Sequence, residues 1–243
     1  MLITVKGQTI NVETAGSGQS VVLLHGWGQN MEMMRPIFDH MKEWFQVIMM
    51  DLPGFGESEE PDTAWSIQDY ADFLSEVLDV YEAENPILIA HSFGARIAFR
   101  YALNHSVHKM ILTGAAGIRP HHSMEYYGKV YWYKIKKHLG LIKGNEGSRD
   151  FQDASSIMRQ ILVKCVNEDI TPMLSSIHTE TLLVWGTLDE QTPLWMGKKL
   201  AKRMPNAALA IFDGDDHFAY FHQMNRFLRV LDCFLVRERS DYE

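Results

Sequence analysis

The sixteen residues "ILIAHSFGARIAFRYA", Ile87 to Ala102, change character at their centre. Up to Ala90 the run is apolar and partly β-branched, which predicts a buried strand. After Gly94 the apolar residues fall at helical spacing. Between the two halves stands Ser92, flanked by His91 and Phe93. A tight strand-to-helix turn would lift the Ser92 hydroxyl clear of a sheet. Strand and helix backbones pass close together there, and Ala90, Gly94, Ala95 and Ala98 keep the crossing slim. The start of the helix offers backbone N–H groups and a positive dipole end, which favour developing negative charge. Small-x-Ser-x-Gly is a variant of the nucleophile elbow G-x-S-x-G, with Ala90 in place of the first glycine. On its own the match serves equally well for a serine that caps a helix.

The rest of the chain supplies a frame for this turn. Strand-like runs recur at Leu2–Val5, Ile10–Glu13, Val21–Leu24, Val47–Met50, Ile87–Ala90, Met110–Thr113, Thr181–Trp185 and Ala208–Phe212. The first two alternate like an antiparallel hairpin. Several later ones are continuously apolar, as in strands covered on both faces. Helical patterns separate the later runs. Ser66–Tyr81 carries Ile67, Tyr70, Phe73, Leu74, Val77 and Leu78 on one stripe, and further helices follow Ser92, Pro193 and Phe218. This order predicts an α/β fold with eight strands, mostly parallel, and helices on both faces. From Ile118 to His178 no strand is expected, only helical segments such as "SMEYYGKVYWYKIKKHLG". Residues 118–178 therefore read as a helical cap over the carboxyl ends of the strands, inserted into a core of residues 1–117 and 179–243. The cap's aromatic residues, Tyr126, Tyr127, Tyr131, Trp132 and Tyr133, suit packing as well as a pocket.

Composition narrows the functional classes. The chain has 243 residues, 46% hydrophobic and 22% charged, ordinary for a globular protein. Its net charge of -8 argues against nucleic-acid binding. Cys165 and Cys233 form no metal spacing and no disulfide framework; both read as buried packing residues of a protein in a reducing compartment. The start "MLITVKGQTINVE" lacks the apolar core of a signal peptide, and no stretch is apolar enough to span a membrane. A cytoplasmic protein is the expectation. Its charge is uneven: residues 118–178 hold nine Lys/Arg and six Asp/Glu, densest at Lys129, Lys134, Lys136 and Lys137, so a basic cap lies over an acidic body.

Serine at its free pKa is a poor nucleophile and needs a base with an orienting partner. "TLLVWGTLDEQTP" offers Asp189, or Glu190, just past one strand; "LAIFDGDDHFAYFH" offers His217, or His222, just past the last. "VVLLHGWGQN" places a glycine-rich loop after an earlier strand, where the Trp27 N–H and the Phe93 N–H can bind the oxygen of a tetrahedral intermediate. His25 reads as a brace for this loop. Asp213, Asp215 and Asp216 crowd His217, but their spacing fits no calcium loop and reads as a solvated turn.

In order and spacing, "LLHGWG", "DLPGFGESEEP", "AHSFGARIA", "WGTLDEQTP" and "DGDDHF" resemble the α/β-hydrolase superfamily from about Val21 to Leu235. Some members take the acid one strand earlier, but "ILTGAAG" has no carboxylate there, which favours Asp189. The resemblance implies a serine hydrolase with a Ser92–Asp189–His217 triad and no cofactor or metal. Asp51 in "DLPGFGES" is structural by the same analogy. Dehalogenases and epoxide hydrolases use aspartate where this chain has Ser92. "LLHGWGQN" and "DLPGFGES" are similar to the pimeloyl-carrier-protein methyl ester esterases, although "AHSFGA" departs from their elbow. The expected activity is hydrolysis of small or medium acyl esters through an acyl-enzyme, the acyl group free or borne by an acidic carrier protein. Two alternatives share the pattern: carbon–carbon bond hydrolysis of the meta-cleavage product type, and a non-catalytic hydrolase-fold binding protein.

Overall fold

A computed structural model of the chain describes residues 1–119 and 154–235. All eight expected strands are present: β1 (Leu2–Val5), β2 (Gln8–Ala15), β3 (Ser20–Leu24), β4 (Gln46–Met50), β5 (Ile87–His91), β6 (Lys109–Thr113), β7 (Glu180–Gly186) and β8 (Ala207–Phe212). They form one open sheet in the order β1-β2-β4-β3-β5-β6-β7-β8. β1 pairs antiparallel with β2 and β2 with β4, whereas every pair from β4 through β8 is parallel.

The continuously apolar runs are explained by burial on both faces. Val22, Leu24, Leu88, Ala90, Met110, Leu112, Leu183 and Trp185 point into one layer, where α2 (Ile67–Val80), α3 (Phe93–Asn104) and α5 (Leu194–Arg203) cover them. Val21, Leu23, Ile87, Ile89, Ile111 and Val184 point into the other, under α1 (Arg35–Met41) and α7 (Met224–Phe234). A short helix, α6 (Ala219–His222), precedes α7. In α2 the whole expected stripe is buried, and Ser66 caps the helix in a reciprocal pair with Asp69. The seven-residue α1 was not among the expected elements. Pro36 opens it, and Ile37, Phe38 and Met41 face the sheet.

One packing expectation is corrected. Cys165 is buried, but Cys233 is exposed. In α7 the buried positions are Phe227 and Leu231. Cys233 follows Leu231 by two residues, about 200° around the helix, and so faces outward.

Of the segment expected to be a cap, the described residues contain α4 (Ser156–Asn167) and a 3₁₀ helix (Thr171–Ser176), with no strand. "SMEYYGKVYWYKIKKHLG", with its aromatic residues and its lysine cluster, lies outside the described residues. The chain departs after β6 and returns to a narrow neck: the Ile170 N–H donates to the Gly117 carbonyl at 2.9 Å. Beside the neck, Arg100 of α3 pairs with Glu168 at 2.5 Å, and half-buried Arg96 donates to the Glu168 carbonyl at 3.2 Å.

Candidate active site

Ser92 sits between β5 and α3 with φ 49° and ψ −104°. A side chain held at positive φ costs on the order of 1–3 kcal/mol and persists only where surroundings impose it. Here the Ser92 N–H donates to the Thr113 carbonyl at 3.0 Å, and the Ser92 carbonyl accepts from Ala95 and Ala116, each at 3.2 Å. Gly94 explains the need for small residues. A Cβ there would lie 2.6 Å from the Leu24 carbonyl oxygen and 2.8 Å from that of His25. The helix therefore crosses directly over the end of β3.

The loop after β3 is built around His25, which is fully buried. Its Nδ1–H donates to the Gly26 carbonyl at 2.7 Å, and its Nε2 accepts from the Leu52 N–H at 2.9 Å. These partners fix a neutral tautomer, and burial pushes its pKa down to about 4. His25 thus braces the loop against the segment after β4. Asp51 has a similar office: its carboxylate accepts from Met31 N at 2.7 Å, Glu57 N at 2.9 Å and Asn11 Nδ2 at 3.1 Å. The Trp27 indole meets the Phe93 ring edge-on at 5.3 Å, joining this loop to the elbow. Phe93 opens α3, so its N–H belongs to the set that a helix leaves without an intrahelical acceptor.

Asp189 and His217 come together across the ends of β7 and β8. The imidazole Nδ1 lies 2.8 Å from Asp189 Oδ2, and both side chains are buried. With Nδ1–H donating to the carboxylate, Nε2 carries the lone pair, the form a base requires. That Nε2 has no hydrogen-bond partner among the described residues. The structure therefore joins acid to imidazole and leaves the Ser92–His217 hydrogen bond unmade. The two are linked through Thr113 and Gly114: Thr113 holds the Ser92 amide, and a Cβ on Gly114 would stand 2.9 Å from His217 Nδ1. Of the alternatives, Glu190 is exposed, and His222 is half-exposed, pairing with Asp215 at 3.1 Å and Asp216 at 3.3 Å. Those three residues could offer ligand atoms within 4.8 Å of one another, but Asp215 also takes the Gln223 amide and Asp216 the Phe218 N–H.

Three neighbours escaped sequence reasoning. The His91 ring lies 4.7 Å from that of His217. Its Nδ1 is held by Thr113, and burial keeps its pKa well below the usual range, so it adds no positive charge beside His217. Gly114 provides the space in which the imidazole sits. Thr192 touches both members of the pair: its Oγ1 donates to Asp189 Oδ2 at 2.8 Å and lies 3.2 Å from His217 Nδ1. An acid followed three residues later by a threonine in a turn was the available signal. A cavity of about 280 Å³ opens beside the Trp27 loop, walled by Trp27, Phe55, Met158 and Ser155, with Glu60 its one charge among the described residues.

Comparisons with known proteins agree with this fold. Residues 19–135 match the family model described as the alpha/beta hydrolase fold, and residues 162–238 match a TAP-like protein model. The chain is 26% identical to the pimeloyl-[acyl-carrier protein] methyl ester esterase of Photorhabdus laumondii, covering 93% of this chain and 96% of that one. It is 25% identical to the 2-hydroxy-6-oxo-2,4-heptadienoate hydrolase of Pseudomonas putida, covering 98% and 96%. Among solved structures, an esterase from Exiguobacterium antarcticum superposes with a TM-score of 0.79 at 26% identity, covering 97% and 98%. No helix among the described residues is long and apolar enough to cross a membrane. The open sheet in this strand order, the elbow after its fifth strand and hydrolase relatives along nearly the whole chain lead to one assignment: the chain belongs to the α/β-hydrolase superfamily.

Proposed function

We propose that this protein is a serine hydrolase of carboxylic esters, with Ser92 as nucleophile, His217 as general base and acid, and Asp189 as the group that orients the imidazole. The observation that carries the proposal is the buried Asp189–His217 pair, whose base-competent Nε2 has no hydrogen-bond partner among the described residues, beside a strained serine elbow. Ser92 Oγ attacks the acyl carbon while its proton passes to His217 Nε2. Asp189 stabilises the imidazolium, and the N–H groups of Trp27 and Phe93 hold the oxyanion. Collapse releases the alcohol, which leaves with the proton from Nε2. Water, deprotonated by the same nitrogen, then cleaves the acyl-enzyme to the free acid. No step calls for a cofactor or a metal.

The cavity beside Trp27, walled in part by Trp27, Phe55 and Met158, supports a small or medium acyl group, and residues 118–178 would close over it as a cap. The similarity to the pimeloyl-carrier-protein methyl ester esterases extends the reading to acyl groups borne by an acidic carrier protein. The hydrolase from Pseudomonas putida favours a second reading, cleavage of a carbon–carbon bond in a 2-hydroxy-6-oxo-dienoate. Turnover of p-nitrophenyl esters of increasing acyl length, set beside turnover of such a dienoate, separates the two. We expect faster ester hydrolysis, and a loss of about 10⁴-fold or more in folded Ser92→Ala. An active Ser92→Ala enzyme overturns the assignment.

A further inference from the structure

Asp189 reaches His217 from a loop of a few residues, and something must keep its carboxylate turned toward the imidazole. The hydrogen bonds around it show what does. Oδ1 accepts from the Gln191 N–H at 2.9 Å and the Thr192 N–H at 2.8 Å. Oδ2 accepts from His217 Nδ1 and from Thr192 Oγ1, each at 2.8 Å. A carboxylate has about four lone-pair sites, and Thr192 fills two of them, one on each oxygen. Thr192 is itself fixed from a third direction, because its carbonyl accepts from the buried Trp185 indole N–H at 2.6 Å. The hydroxyl also lies 3.1 Å from the Gly114 carbonyl. Its single proton serves the closer carboxylate, and its oxygen is left facing the His217 Nδ1–H at 3.2 Å.

We propose that Thr192 is the positioning residue of the acid–base pair: its hydroxyl holds Asp189 Oδ2 in line with His217 Nδ1 and so sets the imidazole for proton transfer at Nε2. The assignment rests on the serine-hydrolase reading. A passive helix-start threonine would have no need of contact with all three of Asp189, His217 and Gly114. Without the hydroxyl, Oδ2 keeps one donor in place of two, and the carboxylate is held only by the two backbone N–H groups on Oδ1 and by the imidazole itself.

The test uses the whole protein and two rates: hydrolysis of p-nitrophenyl acetate, and inactivation by a fluorophosphonate with the Ser92 adduct weighed by mass spectrometry. Thr192→Val keeps the shape and removes the hydroxyl; Thr192→Ala stands in if the valine variant does not fold. We expect kcat and the inactivation rate to fall about tenfold, the loss of one hydrogen bond to a charged group, with KM within about twofold. Thr192→Ser should restore most of the rate. Because Thr192 acts through the carboxylate, Thr192→Val placed on Asp189→Asn should cost less than about twofold more. A wild-type rate in Thr192→Val and Thr192→Ala overturns the proposal. So does the same fold loss in both backgrounds, which marks a purely structural part. Fluorophosphonate labelling of wild type at a residue other than Ser92 would instead overturn the serine-hydrolase reading.

Discussion

His25 makes the fold lose stability in acid, and the size of the effect follows from its surroundings. The folded protein holds this imidazole neutral with a pKa near about 4, against an ordinary value of 6.5, because burial penalises the charged form. The unfolded chain therefore binds a proton at higher pH than the folded one. Above pH 6.5 the full contribution is present, and it drains away as pH falls toward 4. Linkage between the two values gives a loss of about 2 kcal/mol by pH 5 and about 3 kcal/mol by pH 4. His91 shifts in the same direction and adds to the loss. Urea unfolding of wild type and His25→Asn, from pH 7.5 down to pH 4, isolates the His25 share. The variant is less stable at pH 7.5, and the gap between the two should close by about 2 kcal/mol on reaching pH 5. A gap that stays constant over this range would refute the account of His25 as a buried, neutral brace.

Two further perturbations probe the site. Asp189→Asn should lower kcat/KM by about 10⁴-fold, as tautomer control is lost, while Glu190→Gln stays within about threefold of wild type; steady-state ester hydrolysis reads both, and the reverse order would reassign the acid to Glu190. Gly114→Ala puts a methyl 2.9 Å from His217 Nδ1 at φ +50°, so the imidazole must give way. A displacement approaching 1 Å costs up to about 100-fold in kcat, and wild-type kcat in this variant would show that the imidazole is not seated against Gly114.

The sheet was legible because several of its central strands announce themselves by continuous apolar runs, and burial on both faces leaves such runs little freedom to be anything else. The ends moved by one or two residues, as where β2 extends to Ala15 while pairing with β4. The short α1 was hidden: seven residues hold too few turns for a periodic stripe to stand out. Ser92, Asp189 and His217 could be singled out as candidates because each lies within a few residues of the end of a strand. Thr192, Gly114 and His91 could not, since their contacts with His217 depend on separate chain segments meeting at one imidazole. Cys233 was misread for a simpler reason, that cysteine is an apolar residue by habit while its helical phase put it on the outer face.

The neck between Gly117 and Ile170 has a consequence for how such a chain can diversify. β6 and β7 are paired in parallel register from Lys109↔Glu180 to Thr113↔Val184, independently of what the chain does between them. The ends of the intervening segment are pinned together by a backbone hydrogen bond that requires no particular side chain. Closing a loop costs free energy only as the logarithm of its length, about 0.6 kcal/mol for each doubling. The part of the segment before α4 can thus be lengthened or shortened at small cost in loop-closure entropy, provided Met158, Ile161 and Cys165 of α4 keep their places in the core. It is a natural graft point: recombination there changes the chain between β6 and β7 while both strands and the residues at their ends are inherited intact.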